Sequence, residues 1–310
     1  MKTTSLITVA LLFGVGVASV VVAQTPAVVH NTWTSGAPMP VATSTVAVGV
    51  IENQIYVVGG GALPQTCLAN TQVYDPATNT WSAGAPVPVG TCNGASAAVV
   101  NNILYVFGGG TADESVTNAV WAYNPRKNIW SSRSPMPTAK GCSGAAVEKG
   151  IVYLIGGCGE NPYDRLTDVE SYNPATDTWT EEAPLLVGKS QPSVGRVGTA
   201  IVAADGFTAS GDTGDNEGYD VTTNSWTNLP RDPMPRNGAC TGVIGGKLYV
   251  ADGNNTSTES FRLSKKTWNT LASMPQPATF AGGVVYDGLL YCFGGIWGDT
   301  TLNNVQIYQP

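Results

Sequence analysis

The hydrophobic positions of this chain fall into short apolar runs separated by brief polar links. ASAAVV (95–100) and IYVVGG (55–60) are typical, and runs of about four to eight residues suit β-strands. ENQ (52–54), NN (101–102) and DG (205–206) read as tight hairpins between such strands. A third run ends on an aromatic, as in NAVWAY (118–123). Asp-Pro or Asn-Pro then turns the chain, and a fourth strand begins near a Trp.

This unit recurs. An aromatic followed seven residues later by Trp appears as YDPATNTW (74–81), YNPRKNIW (123–130), YNPATDTW (172–179), YDVTTNSW (219–226) and FRLSKKTW (261–268). About 26 residues after most of these Trp comes apolar-aromatic-apolar before a Gly-Gly slot. That phrase reads IYVVGG (55–60), LYVFGG (104–109), VYLIGG (152–157), LYVADG (248–253) and LYCFGG (290–295), and FTASGD (207–212) reads as a degraded fourth copy. Six units of four antiparallel strands, every 42–49 residues, predict propeller blades. A β-sandwich with chance repeats is the alternative that six matched phrases disfavour.

The Gly-Gly, aromatic and Trp arrangement resembles the kelch repeat over nearly all of residues 30–310. The resemblance implies one blade per repeat, and so an all-β, six-bladed β-propeller of four-stranded antiparallel blades. The residue types fit face-to-face stacking of blades, since Trp and Tyr offer large flat surfaces and Gly-Gly admits a close neighbour. Blade four departs with Ser210-Gly211 in the slot. Blade five departs with Asp252-Gly253, with Phe261 for Tyr, and with Arg262-Leu263 in the turn. These two blades are expected to pack less closely than the others.

Composition narrows the setting. Of 310 residues, 43% are hydrophobic and only 12% charged, with 37 Gly, which suits strands and tight turns over helices. The net charge of −7 without a run of Lys or Arg makes nucleic acid and anionic membranes poor partners. At the N-terminus, Lys2, the apolar run Leu6 to Ala18, and Val21-Val22-Ala23 before Gln24 fit a cleaved signal peptide over 1–23. Residues 24–310 are then one exported domain, periplasmic or extracellular, with no further run long enough to hold it in a membrane. An uncleaved anchor is the rival reading, since Ser5 to Ala23 carries no charge. Export makes disulfides expected among the six Cys, and the absence of a CxxC pair argues against zinc.

In a propeller, the loops between strands two and three and the segments leading into strand one emerge on one face. From slot to aromatic the chain runs 14–16 residues in blades one, two, three and six, but nine in blades four and five. Trp179 to Ser210 spans 31. The face is therefore expected to be lopsided. Cys67 and Cys92 meet on it, predicting one disulfide, and folding the hairpin of blade three predicts Cys142–Cys158 as a second. Cys292 is then expected as a buried free thiol, and Cys240 beside the channel.

Lys140, Lys189, Arg196 and Arg236, near the starts of strand one, are expected around the channel mouth. There they would either hold an anionic or polyhydroxylated ligand or cap carbonyls and solubilise the rim. Asp113 with Glu114, Glu160, Asp212 and Asp215 lie on loops of the same face. Asp212 and Glu160 are the candidates for acid–base work, and Trp297 offers a stacking surface. His30 is the single His, which excludes multi-His metal sites, including the two-His site of the copper-dependent sugar oxidases that some secreted kelch proteins resemble. No calcium loop matches the acidic segment 211–220, and no cofactor is expected.

These features point to a secreted, monomeric binding propeller that takes a protein or glycan ligand on one face. The alternative is a carbohydrate-active enzyme of sugar-acid epimerase type, using a carboxylate and an Arg at the channel mouth. It rests on likeness of architecture alone. A surface adhesion module is a third reading.

The two ends of the chain complete one phrase. VQIYQP (305–310) has the aromatic but no Trp, and NTW (31–33) supplies the missing half. The N-terminal segment is thus predicted to be strand four of blade six, which leaves no partial blade with an open edge. Deleting residues 24–36 should destabilise the whole domain in thermal unfolding, whereas removal of a loose tail would leave the transition unchanged.

Overall fold

A computed structural model describes residues 29–63, 66–113, 115–161 and 164–310. The proposed signal peptide and Glu114 lie outside the described residues. The chain divides into Met1–His30 and a compact unit, Asn31–Pro310, which is the propeller. Among the described residues no helix is long and apolar enough to cross a membrane.

Six four-stranded antiparallel sheets form the propeller. Blade one runs from its inner strand Ala47–Ile51 through Gln54–Val58 and Thr71–Asp75 to the outer strand Thr80–Gly84. Blades two to five begin at Ser96–Val100, Gly144–Glu148, Ser193–Val197 and Cys240–Ile244 in the same order. Blade six takes Gly282–Tyr286, Leu289–Phe293 and Val305–Gln309, and its outer strand is Thr32–Ser35, in register Trp33↔Tyr308. Each inner strand packs against those of both neighbouring blades, and the sixth packs against the first, so the ring is closed. Second strands are the most buried: Val57, Leu104, Leu154, Val202, Val250 and Leu290 are essentially inaccessible.

The repeated phrase joins the blades. In every blade the indole Nε1 of the outer-strand Trp donates to a backbone carbonyl of the preceding blade. Trp81 reaches Ala37 at 2.9 Å, Trp130 reaches Ala85 at 2.8 Å, Trp179 reaches Ser134 at 3.0 Å and Trp226 reaches Ala183 at 2.8 Å. Trp33 closes the ring on Ala272 at 2.9 Å. Two residues before the Trp, an Asn or Asp sits in the left-handed region, as at Asn128 with φ 52°. Its side-chain oxygen accepts twice. The Tyr123 hydroxyl donates to Asn128 Oδ1 at 2.6 Å, and Ala85 N–H donates to the same oxygen at 2.7 Å. Asn is among the few residues that tolerate this conformation, which explains its place before Thr-Trp.

Blade five lacks all three parts of this device together. Phe261 has no hydroxyl, Lys266 stands where the Asn should be, and the residue reached by Trp268 is Pro230, which has no N–H to give. Only the indole bond to the Pro230 carbonyl remains, at 2.9 Å.

The structure corrects the sequence reading of blade four. Its second strand is Ala200–Ala204, and the slot is Asp205-Gly206, so the copy is IVAADG (201–206) rather than FTASGD. Asp205-Gly206 is therefore not a hairpin; the hairpin lies between Val197 and Ala200. Trp179 to Asp205 is then 26 residues and Asp205 to Tyr219 is 14, matching the other blades, and only blade five has a short loop. Phe207 and Asp212 pair in a small hairpin on the loop face, like those of Gly61–Ala62 with Thr66–Cys67 and Ile296–Trp297 with Thr300–Thr301.

The slot itself has a steric cause. At Gly108 and Gly156 a Cβ would lie 2.1 Å and 2.4 Å from the carbonyl oxygens of Lys140 and Lys189 in the next blade, and both residues have positive φ. Asp205 and Asp252 keep the left-handed turn with φ 60° and 63°, conformations Asp tolerates better than most residues.

Replacing Asn128 with Ala strands two donors and leaves an ordinary side chain in a left-handed turn. It should lower stability by roughly 2–4 kcal/mol in urea unfolding. Lys266→Ala, where the device is absent, should change it by less than about 0.5 kcal/mol.

Candidate functional site

The segments leading into the inner strands place residues with positive φ at the channel mouth: Thr45, Cys142, Gln191, Gly238 and Phe280, at 53°, 56°, 55°, 62° and 65°, and in blade two the pair Asn93 and Gly94, at 48° and 73°. Backbone bonds run from blade to blade through this ring. Gln191 N–H donates to the Cys142 carbonyl at 2.7 Å, Phe280 N–H to Gly238 at 2.7 Å, and Thr45 N–H to Phe280 at 2.8 Å. Five of these seven are not Gly, and each of the five carries a conformational penalty on the order of 1 kcal/mol. Their side chains line a bowl of about 710 Å³ that opens on the loop face.

The wall of the bowl comes from the residues that pair with these segments and from the loops above them. Leu63, Phe207 and Ile296 give it apolar surface, while Glu160 and Arg165 bring opposite charges. The Arg165 guanidinium lies 4.8 Å from the centre of the Phe207 ring, a cation–π contact. Phe207 was missed in the sequence because the misplaced fourth copy absorbed it into a strand phrase, and Arg165, on the loop of blade three, belongs to no repeated phrase. A second cavity of about 610 Å³ lies outside the bowl between the loops of blades three and four, with Arg165, Asp212, Asp215 and Arg231 on its wall.

The other expected site residues are dispersed. Glu160 is exposed on the bowl. Asp212 accepts from Asn254 Nδ2 at 2.7 Å and from Asn237 Nδ2, and Asp215 is paired with Arg231. Asp113 is held by its own loop: the Thr111 hydroxyl, and then the Ser115 hydroxyl at 2.8 Å, donate to its carboxylate and keep it below the usual range. Trp297 is 52% exposed, next to Ile296 but outside the bowl lining. Arg196 stands near the opposite end of its strand, beside the hairpin at Val197, and pairs with Glu148 at 2.5 Å.

Lys140, Lys189 and Arg236 are not ligand-facing. All three are essentially inaccessible. Lys140 pairs with Glu170 at 3.0 Å, Lys189 with Glu217 at 2.9 Å, and Arg236 with Glu259. In each of these blades the Glu lies two residues before the aromatic of strand three. A buried cation without that partner would be severely destabilising. The neutral counterparts are Gln72 of blade one and Gln306 of blade six: Gln72 accepts from Val41 N–H at 2.8 Å, as Glu217 does from Leu186 at 2.8 Å. These pairs brace the segments leading into the inner strands, which is the capping role and not the binding one.

The cysteines differ from expectation in part. Cys67 is joined to Cys92, and Cys240 to Cys292. Cys240 is thus not a channel residue with a free thiol: its strand packs against strand two of blade six, where Cys292 sits. Cys142 and Cys158 carry free thiols. Gly141 and Cys158 exchange backbone hydrogen bonds of 3.0 and 2.8 Å, so the hairpin does bring the two cysteines together.

Under blades four and five the charges are unbalanced. Asp205, Asp232, Asp252 and Glu259 surround the single guanidinium of Arg236, and all are buried. Arg236 donates to the carbonyls of Met234, Asp252 and Ser257 at 2.9, 3.1 and 3.1 Å, as well as to Glu259. One cation cannot hold four carboxylates ionised. Burial, then the neighbouring Asp232, pushes Asp205 well up, and burial raises Asp252 to about 6. Asp252 also accepts the Ala278 N–H, fixing the segment that leads into blade six.

A closed ring of six four-stranded blades, stitched by Tyr, Asn and Trp around a loop-face bowl, defines a kelch-type β-propeller. The family described as the KLHDC2/KLHL20/DRC7 Kelch-repeats domain matches residues 20–211, and the Kelch motif matches residues 277–310. The chain belongs to the kelch-repeat family. The solved structure titled "Structure of YjhT" superposes with a TM-score of 0.75 at 19% identity, covering 86% of this chain and 95% of that one. That likeness is one of fold. No curated protein sequence matches this chain.

The buried carboxyls give a pH dependence with a definite sign. Asp252 binds its proton more tightly in the folded protein, near 6, than an ordinary aspartate does. Its contribution is complete below about pH 4 and is lost as the pH rises through about 6, a change on the order of 2–3 kcal/mol. Urea unfolding from pH 4.5 to 6.5 should show stability falling, and Asp252→Asn should flatten that slope.

Proposed function

We propose that this chain is an exported, monomeric protein-binding propeller whose ligand enters the loop-face bowl. The observation that carries the reading is the bowl itself: the left-handed turn that all six blades share at its floor sends five side chains, Thr45, Asn93, Cys142, Gln191 and Phe280, into one cavity of about 710 Å³. Blade five has Gly238 at this position, and blade two adds Gly94 beside Asn93. Five different side chains at or beside one repeated position give the bowl a lining that the repeat itself does not dictate, as expected of binding residues held on a rigid scaffold. The lining suits a protruding protein segment. Phe207, Phe280, Ile296 and Leu63 can receive an apolar side chain, Asn93, Gln191 and Asn237 offer amides to its backbone, and Arg165 and Glu160 fix charged neighbours. Two disulfides support an oxidising compartment.

The test compares two faces. Proteins cross-linked to the wild-type propeller in an extract of its own cells and medium should also be recovered with Arg196→Ala, which lies outside the bowl. They should be lost, by at least about tenfold, with the double variant Arg165→Ala/Phe207→Ala. Equal recovery with all three would remove the bowl from the binding surface. Saturable glycan binding on an array, lost in the same double variant, would replace the protein ligand with a sugar.

A further inference from the structure

Cys142 and Cys158 are set apart from the four bonded cysteines. They are adjacent at the floor and wall of blade three, and both line the bowl. No other blade has a thiol at either position. The floor residues elsewhere are Thr45, Asn93, Gln191, Gly238 and Phe280, and the counterparts of Cys158 include Gly61, Gly110, Phe207 and Ile296. The fold therefore does not require sulfur there. The pair is also asymmetric. Cys158 is partly open to the bowl, whereas Cys142 is buried, with its Sγ 3.2 Å from the Asn93 carbonyl and 3.7 Å from Gln191 Nε2.

We propose that Cys142 and Cys158 form a thiol–disulfide exchange site in the bowl, whose co-reactant is a low-molecular-weight disulfide. Cys158 is the attacking sulfur and Cys142 the resolving one. Contact with the Cys142 thiol, and more weakly the charge of Arg165, bring Cys158 down to about 7, while the same contact and burial keep Cys142 well above the ordinary thiol range. The Cys158 thiolate attacks one sulfur of RS–SR. A Cys158–S–S–R bond forms, the RS–SR bond breaks, and one RS⁻ leaves. The negative charge on Cys158 is then gone, which removes a reason for Cys142 to hold its proton. The Cys142 sulfur attacks Cys158, the mixed disulfide breaks, and a second RS⁻ leaves. Two protein thiols are oxidised and one small disulfide is reduced; the two protons given up by the protein end on the two released thiols. The reverse reaction, with excess small thiol, restores the pair. This inference does not rest on the identity of the bowl's ligand.

The experiment treats the folded protein, with its two other disulfides intact, with 5,5′-dithiobis(2-nitrobenzoate). The expected result is release of two chromophore equivalents per chain, with a product lighter by two hydrogens and a Cys142–Cys158 link in the peptide map. The rate at pH 7 should exceed that of an ordinary free thiol by about fivefold, after allowing for the lower nucleophilicity of a low-pKa thiolate, and should level off as the pH passes 7. Cys142→Ser should release one equivalent and retain the aryl adduct on Cys158, and Cys158→Ser should lose the fast phase. Mapping of iodoacetamide labelling on the wild-type chain, which needs no variant, should find Cys158 modified before Cys142. A stable adduct on each cysteine, a fast phase that survives Cys158→Ser, or a pair already linked and resistant to mild thiol would overturn the proposal.

Discussion

The ring depends on one contact made six times: an indole N–H donated to a backbone carbonyl of the preceding blade. Apolar stacking between blades is tolerant of sliding, because dispersion and water exclusion have little direction. A hydrogen bond from the edge of a large ring is not tolerant. It sets the distance and tilt between neighbours, and the Tyr-Asn pair beside it locks the turn from which the Trp projects. The segment reached by the Trp continues toward the inner strand of its next blade, so the same contact that spaces the blades also helps position the chain that lines the bowl. Blade five, reduced to the indole bond alone, shows which part is indispensable.

Much of this was legible in the sequence, because the blade-joining residues are side chains of distinctive type at fixed intervals. Blade count, strand order and the pairing of NTW with VQIYQP could be read from the seven-residue spacings together with the slot phrases and the hairpin links. The error in blade four has a physical origin. Val202 stands where the other blades place Tyr, and Asp205 replaces Gly, so the phrase lost both of its marks while a nearby Phe and Gly imitated them. Had the 26-residue interval been weighted above residue type, IVAADG would have been found.

The functional surface was less legible. Four cations sit near the starts of inner strands, but sequence gave no direction for their side chains, and three turn inward to a Glu on strand three. A signal existed. Blades with a cation there have Glu two residues before the aromatic (Glu170, Glu217, Glu259), and blades one and six have Gln72 and Gln306. The left-handed floor residues left no such trace. Thr45, Cys142, Gln191 and Phe280 are not residues that announce positive φ, and only the backbone reveals that they belong to one ring.

The outer strand of blade six comes from the beginning of the chain, and its Asn31 accepts from Tyr308 across 277 residues of sequence at 2.7 Å. This makes time part of the architecture. Strand Thr32–Ser35 waits for Val305–Gln309, and the blades between can form while the sixth stays open. Contacts between residues so distant in sequence are slow to form, so the closing step is expected to govern how long exposed strand edges persist. The ring is closed in one event, at the seam between Thr32–Ser35 and Val305–Gln309.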